Sequence, residues 1–172
     1  FIYSGFAMTL KRRKKVKTIS IMPDKDDCEL VILVGSETGT TFDFARRLYT
    51  SLNATGKKVY LTELNNYCTF AKAKRIIILT ATYGEGEPPS NARKFEAIFS
   101  TIQQPKKILY PVVEFGSSGY PDYCRFAIKV DVLLQIHPDL QPFFPLYNIT
   151  NAYYTVFENL VKHLIKYIEI TL

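Results

Sequence analysis

Three apolar runs of strand length each end in small or hydroxyl-bearing residues, and this recurrence constrains the chain more than any other feature of it. Glu29-Leu30-Val31-Ile32-Leu33-Val34 runs into Gly35 and Ser36; Arg75 to Thr82 runs into Tyr83-Gly84-Glu85-Gly86; Lys107 to Phe115 runs into Gly116-Ser117-Ser118-Gly119. Runs this apolar, bounded by turn residues, read as strands covered on both faces. Between them lie segments of helical period. Thr40 to Leu52 places Phe44, Ala45, Leu48 and Leu52 on one face, with Gly56 as its stop. Asn91 to Gln103, Asp122 to Ile136 (Phe126, Val130, Leu133 and Leu134 inward) and Tyr153 to Ile168 (stripe Val156, Phe157, Leu160, Leu164, Tyr167) complete the helices, with Asn65 to Ala73 a loop or short helix. Lys58 to Leu64 and Phe143 to Ile149 supply two further strands.

Strands alternating with helices imply right-handed crossovers and a parallel sheet. Five strands with five helices suit an α/β fold of three layers, a doubly wound five-stranded parallel sheet of order 2-1-3-4-5. Ligands in such a sheet sit beyond the carboxyl ends of the strands where the order reverses. The loops after strands one, three and four should therefore share one site.

A length of 172 residues fits a single domain. The net charge of +6 invites a nucleic-acid partner, but six basic side chains (Lys11, Arg12, Arg13, Lys14, Lys15, Lys17) fall in residues 1–23, which carry no acid. The rest of the chain is neutral, so no basic face is built and no nucleic acid is expected. The segment Phe1 to Leu10 is mainly apolar and precedes that cluster. Ten residues fall short of the roughly 20 needed to span a bilayer. They suit the end of a spanning helix whose basic flank marks the cytoplasmic side; a cleaved signal would carry its charges first. Residues 1–28 are accordingly read as a membrane-proximal stub and basic linker, and 29–172 as the folded domain at the cytoplasmic face. The bland alternative is an amphipathic arm or tag remnant. Cys28, Cys68 and Cys124 show no metal-ligand spacing and read as reduced thiols; His137 and His163 read as surface or helix-end residues.

The first loop, Gly35-Ser36-Glu37-Thr38-Gly39-Thr40-Thr41, sets four hydroxyls at a helix start, where an ordinary N-cap needs one. Unpaired backbone N–H groups and the helix dipole favour an anion there. The loop has no Lys or Arg, so it is not a Walker loop. Neutral donors suit a permanently bound monophosphate. In the second loop, Thr80 to Asn91, Gly84 and Gly86 let the backbone approach a ligand, and Tyr83 stands just past a strand end, where its ring can stack. In the third, Phe115 to Tyr123, Tyr120 stands at the matching mouth and can cover the other face of the same ligand ring. Twelve Tyr and twelve Phe are compatible with a flat conjugated ligand, though aromatic cores are the commoner explanation.

Three ordered motifs, Gly35-Ser36-Glu37-Thr38-Gly39-Thr40, Ala81-Thr82-Tyr83-Gly84-Glu85-Gly86-Glu87-Pro88 and Gly116-Ser117-Ser118-Gly119-Tyr120-Pro121-Asp122-Tyr123-Cys124-Arg125-Phe126-Ala127, resemble the FMN domain of the diflavin reductases. This flavodoxin-derived family includes NADPH–cytochrome or hemoprotein reductase, the nitric oxide synthase reductase region and the sulfite reductase flavoprotein. The resemblance covers residues 29–150. It implies a flavodoxin-like fold and FMN as cofactor. Ser36, Glu37, Thr38, Gly39, Thr40 and Thr41 would hold phosphate and ribityl chain. Tyr83 and Tyr120 would sandwich the isoalloxazine, beside Thr82, Gly84 and Gly86, with the Gly84 carbonyl facing flavin N5. Phe115, Gly116, Ser117 and Tyr123 would line the pyrimidine side; Glu85, Glu87 and Asp122 would ring the exposed edge and steer a basic partner. Two departures stand out: Phe42 replaces an acidic residue, and Leu146-Tyr147-Asn148-Ile149-Thr150-Asn151 replaces an acidic ring-contacting stretch. The implied partners are an FAD/NADPH-binding reductase domain, in a longer chain or another one, and an electron-acceptor protein. Residues 1–17 and Tyr120–Ala127 also resemble bacterial proteins in which a PepSY-type membrane region precedes such a module. The competing readings are a free-standing flavodoxin carrier and a response-regulator-like domain; the latter needs acids where Gly35-Ser36 and Thr82 stand.

Overall fold

The computed structural model describes residues 22–117, 119, 122–150 and 154–171. The expectations for residues 1–21 and for Ser118, Tyr120 and Pro121 lie outside these. Seven strands form a sheet in which every pairing is parallel: β1 (Leu30–Gly35), β2 (Val59–Glu63), β3 (Arg75–Ala81), β4 (Ile108–Tyr110), β5 (Val112–Gly116), β6 (Leu140–Pro142) and β7 (Tyr147–Thr150). The order is β2-β1-β3, then β4-β6 towards one end and β5-β7 towards the other. This is the expected order 2-1-3-4-5 with its last two strands each cut in two. Pro111 makes the first cut; it has no N–H to give, yet its carbonyl accepts from Ile78 N–H at 3.0 Å, so β3 passes the break without losing a bond. The second cut falls between β6 and β7: Phe143 N–H still bonds the Tyr110 carbonyl at 3.1 Å, and Pro145, with no N–H to give, lies in the gap that follows.

The helices are α1 (Thr40–Ala54), α2 (Phe95–Phe99), α3 (Arg125–Gln135) and α4 (Tyr154–Thr171). One face of the sheet packs on α1 and α4 through Phe44, Leu48, Phe157 and Leu164; the other packs on α2 and α3 through Phe95, Phe99, Phe126 and Val130. The inward residues expected of α1 are all buried, and Leu133 of α3 is partly so. In α4, Phe157, Leu160 and Leu164 are buried, whereas Tyr167 lies over Phe143 with ring centres 4.6 Å apart.

Two helical expectations need correcting. The described residues hold four α-helices, not five: the β2–β3 crossover has only a 3-10 turn at Leu64–Asn66. Beyond it, buried Gln104 acts as a peg, donating to Tyr67 Oη and the Cys68 carbonyl and accepting from Phe70 N–H at 3.1 Å. That satisfies the backbone without a helix. The segment Asn91–Gln103 is helical only at Phe95–Phe99, after a 3-10 turn at Ser90–Ala92. Side chains capture its N–H groups first: Glu37 takes Ser90 and Asn65 takes Lys94. The hydroxyls of Ser100 and Thr101 turn back to the Ala97 and Ile98 carbonyls at its end. Among the described residues no helix is long and apolar enough to cross a membrane.

Candidate functional site

The carboxyl ends of β1, β3 and β5 open on one side of the sheet, and the three loops meet there. They enclose two adjoining hollows. The first, about 280 Å³, is lined by Ser36, Glu37, Thr38, Thr40, Thr41, Ala81, Thr82, Tyr83, Phe115, Gly116 and Ser117. The second, about 270 Å³, shares Thr82, Tyr83, Gly116 and Ser117 with it and adds Gly84, Glu114, Asp122 and Tyr123. Among the described residues neither is lined by a Lys, Arg or His.

The geometry of the first loop follows from its sequence. Gly39 has φ of 92°, a left-handed turn that an L side chain enters only at a cost, and it serves as the N-cap of α1. Ser36 Oγ accepts from Gly39 N–H at 3.1 Å and closes the turn. The first-turn N–H groups of α1, at Thr40 and Thr41, have no carbonyl upstream in the helix to bond. Thr41 is buried while Thr38 and Thr40 are exposed. Glu37 lines the first hollow, but its carboxylate accepts from Ser90 N–H at 2.5 Å and ties this loop to the second one.

The second loop is a tight reversal. Tyr83 and Glu87 exchange both backbone bonds (2.9 and 2.7 Å), with Gly84 and Gly86 at positive φ between them. At Gly86 a Cβ would also run into the Arg125 side chain. Tyr83 is left 45% exposed beside both hollows and Tyr123 39% exposed beside the second, large aromatic surfaces at the mouth of a site. Tyr120, expected opposite Tyr83, lies outside the described residues. Phe115 lines the first hollow, yet its ring is stacked on Phe44 at 4.7 Å within the α1–α4 core. Asp122 faces the second hollow and pairs with Arg125 at 3.5 Å, and Arg125 also donates to the Glu85 carbonyl.

Three residues escape a reading of the sequence alone. Asn91 Oδ1 accepts from Ser36 N–H at 2.8 Å across 55 positions of chain, fixing the first loop to the exit of the second. Asn65 donates to the Ser90 carbonyl and braces the same exit. Glu114, in mid-β5, is fully buried; one carboxyl oxygen accepts from Thr82 N–H at 3.1 Å and the other is buried without a partner. Burial pushes its carboxyl up to about 8, against relieving bonds from the Thr82 side chain and backbone. Beside it, Cys124 caps α3 at φ of 65°, its Sγ against the Asn148 amide, with its thiol pushed up to about 12 by burial and by Glu114. A glutamate within an apolar run was the available signal for Glu114; nothing local marks Asn65 or Asn91.

The chain that builds this site is similar to known proteins in sequence and in fold. Residues 32–136 fit the flavodoxin family model. The chain is 32% identical over 114 residues to the sulfite reductase [NADPH] flavoprotein alpha-component of Neisseria meningitidis, 64% of this chain and 19% of that protein. It is 30% identical over 123 residues to NADPH oxidoreductase A of Dictyostelium discoideum, 69% of this chain and 20% of that protein. The chain thus spans about a fifth of the length of these relatives. In fold it is similar to oxidised flavodoxin 1 of Bacillus cereus, with TM-score 0.68 and 16% identity over 81% of this chain and 97% of the other. The chain therefore belongs to the flavodoxin family, homologous to the FMN modules of these larger reductases, and FMN is the cofactor that this membership implies.

Proposed function

We propose that this domain is the FMN relay of an NADPH-dependent diflavin reductase, taking electrons from an FAD-bearing reductase domain and passing them to an acceptor protein. The observation that carries this is the convergence of all three strand-mouth loops on two joined hollows with no basic side chain in their walls. The donor set fits FMN: a helix start with hydroxyls for a phosphate, exposed tyrosines for a flat ring, and an orphaned buried carboxyl oxygen beside it. FMN, when bound, supplies the one-electron chemistry, and the protein supplies binding, orientation and electrostatics.

In this reading Ser36, Thr38, Thr40 and Thr41, with the N–H groups of residues 37, 38, 40 and 41, hold the phosphate, while Gly39 N–H stays on Ser36 Oγ. Glu37 braces the loop through Ser90. Tyr83 covers one face of the ring, and Tyr120 is assigned the other. Gly84 and Gly86 keep backbone polar groups at its edge; Gly116, Ser117 and Tyr123 line the far side. Glu85, Glu87 and Asp122 form an acidic rim for a basic partner surface. A membrane-anchored arrangement, with residues 1–28 as stub and linker and the domain at the cytoplasmic face, as in a PepSY-type fusion, belongs to the same proposal and rests on the order of apolar and basic residues alone. Protease accessibility of the domain in sealed vesicles of the full-length protein tests it.

Colour is the first test of the site. Purified domain should show flavin absorbance or gain it on adding FMN, and a protein that takes up none overturns the assignment. The relay is tested by mixing the FMN-loaded domain with a separate FAD reductase module and NADPH; bleaching should need both. A free-standing carrier is the second reading, favoured by the near-complete overlap with a Bacillus flavodoxin. It is distinguished by whether the longer reading frame encodes the FAD domain.

A further inference from the structure

Glu114 stands where a doubly wound sheet tolerates a carboxyl least. It is 0% exposed in the middle of β5, opposite Thr80 of β3 on one side and Asn148 of β7 on the other. Its same-face neighbour two residues back, Val112, belongs to the apolar cluster beneath α2 and α3. Among the described residues, the neighbours it could use as a countercharge are neutral or acidic. From β3 and the loop after it come Thr80, Thr82 and Tyr83; from β7 comes Asn148; from the turn before α3 come Asp122, Tyr123 and Cys124. Arg125 is turned to Asp122 and to the Glu85 carbonyl instead. Oε1 is satisfied by Thr82 N–H; Oε2 is buried without a partner, and the residue forms part of the wall of the second hollow. An unpaired buried polar atom costs stability and persists at sites where something else meets it or where its proton is used.

We propose that Glu114 is a proton-holding tuning residue of the flavin site, neutral and carrying its proton at Oε2 at physiological pH, whose ionisation in alkaline solution opposes the entry of an electron into bound FMN. The proposal rests on the placement of FMN argued above. Burial favours the neutral acid, in keeping with an upward shift of the carboxyl to about 8. An electron added nearby makes the neutral form more favourable still. Above pH 8, therefore, the first electron delivered by a one-electron donor such as dithionite is matched by one proton moving from water to the Glu114 carboxylate, which then has no further proton to take; no bond of the flavin skeleton breaks. Below pH 7 the acid is already protonated in both redox states and contributes no such proton.

The experiment is a potentiometric titration of the FMN-loaded protein from pH 6 to 10, wild type against Glu114→Gln. The amide preserves shape and an acceptor for Thr82 N–H but does not titrate. Below pH 7 the two should agree within about twofold in the reduction equilibrium. Above pH 8 the wild-type potential should fall more steeply, by up to tenfold per pH unit in the one-electron equilibrium, or 59 mV. Parallel slopes across the range overturn the proposal. A second readout needs no FMN and no variant. Infrared titration of the apoprotein should show a protonated carboxyl band that disappears above pH 8; its absence at pH 7 overturns the proposal even if Glu114→Gln does not fold. Failure of the wild type to take up FMN instead overturns the site assignment and leaves the infrared result standing.

Discussion

Tyr83 is the side chain through which the site assignment is most directly tested, because it is large, exposed and free of other duties. Tyr83→Ala should weaken FMN binding about five- to tenfold, from the loss of roughly 1 kcal/mol of ring stacking, while leaving stability unchanged. Flavin fluorescence quenching reads the first and urea denaturation the second. Gly39→Ala should cost about 1–2 kcal/mol through its left-handed φ, even though a Cβ there meets no atom within 4 Å, and should weaken FMN binding in step. Glu114 gives the apoprotein a pH signature. Its folded value lies above the ordinary 4.5, so the folded state holds the extra proton between about 4.5 and 8. The stabilisation is full below that window and is lost as pH rises through it. Wild type should therefore lose on the order of a few kcal/mol relative to Glu114→Gln between pH 5 and 8, then level off, as measured by urea midpoints. The glycine turns of the first two loops and the placing of Tyr83 at a strand mouth were legible because their pattern is local in sequence. Glu114 was not, since its neighbours Thr80, Thr82 and Asn148 come from distant parts of the chain, and only strand pairing brings them against the carboxyl.

At the scale of elements, α1 carries the first loop, so its packing and the site are coupled. Phe44 contacts Phe115, Tyr154 and Phe157, with ring centres 4.7–4.9 Å away. Phe44→Ala should cost about 3–5 kcal/mol in stability. Thermal or urea unfolding of the apoprotein measures it. The stripe Phe44, Ala45, Leu48, Leu52 fixed this helix in the sequence because its period is regular and its stop, Gly56, has positive φ. The short α2 was illegible for the opposite reason. Its competitors are side chains from elsewhere, Glu37 and Asn65, whose proximity the local pattern does not encode. The same holds for Gln104, whose amide replaces the helix expected in the second crossover.

For the whole molecule, the ion pairs among the described residues are at the surface, and exposed pairs contribute little. Stability rests on the two apolar layers. Salt up to 0.5 M should accordingly leave the unfolding midpoint nearly unchanged. FMN, in contrast, should raise stability by about 2.7 kcal/mol at a hundredfold excess over its Kd, or roughly 5–10 °C in Tm. Differential scanning calorimetry checks both.

The cuts in the last two strands give the sheet an uneven centre of gravity. β1 is buried along its whole length and paired on both sides, whereas β7 is four residues long and pairs on one side, with β5 alone. Amide exchange should follow that gradient, slowest in β1 and β3 and fastest in β7 and the turn before α3. The loop after β1 springs from the slow region and the Tyr123 side of the hollows from the fast one. FMN would bridge two parts of the protein that open on different timescales, so its departure and the loosening of the β5–β7 edge become a single event.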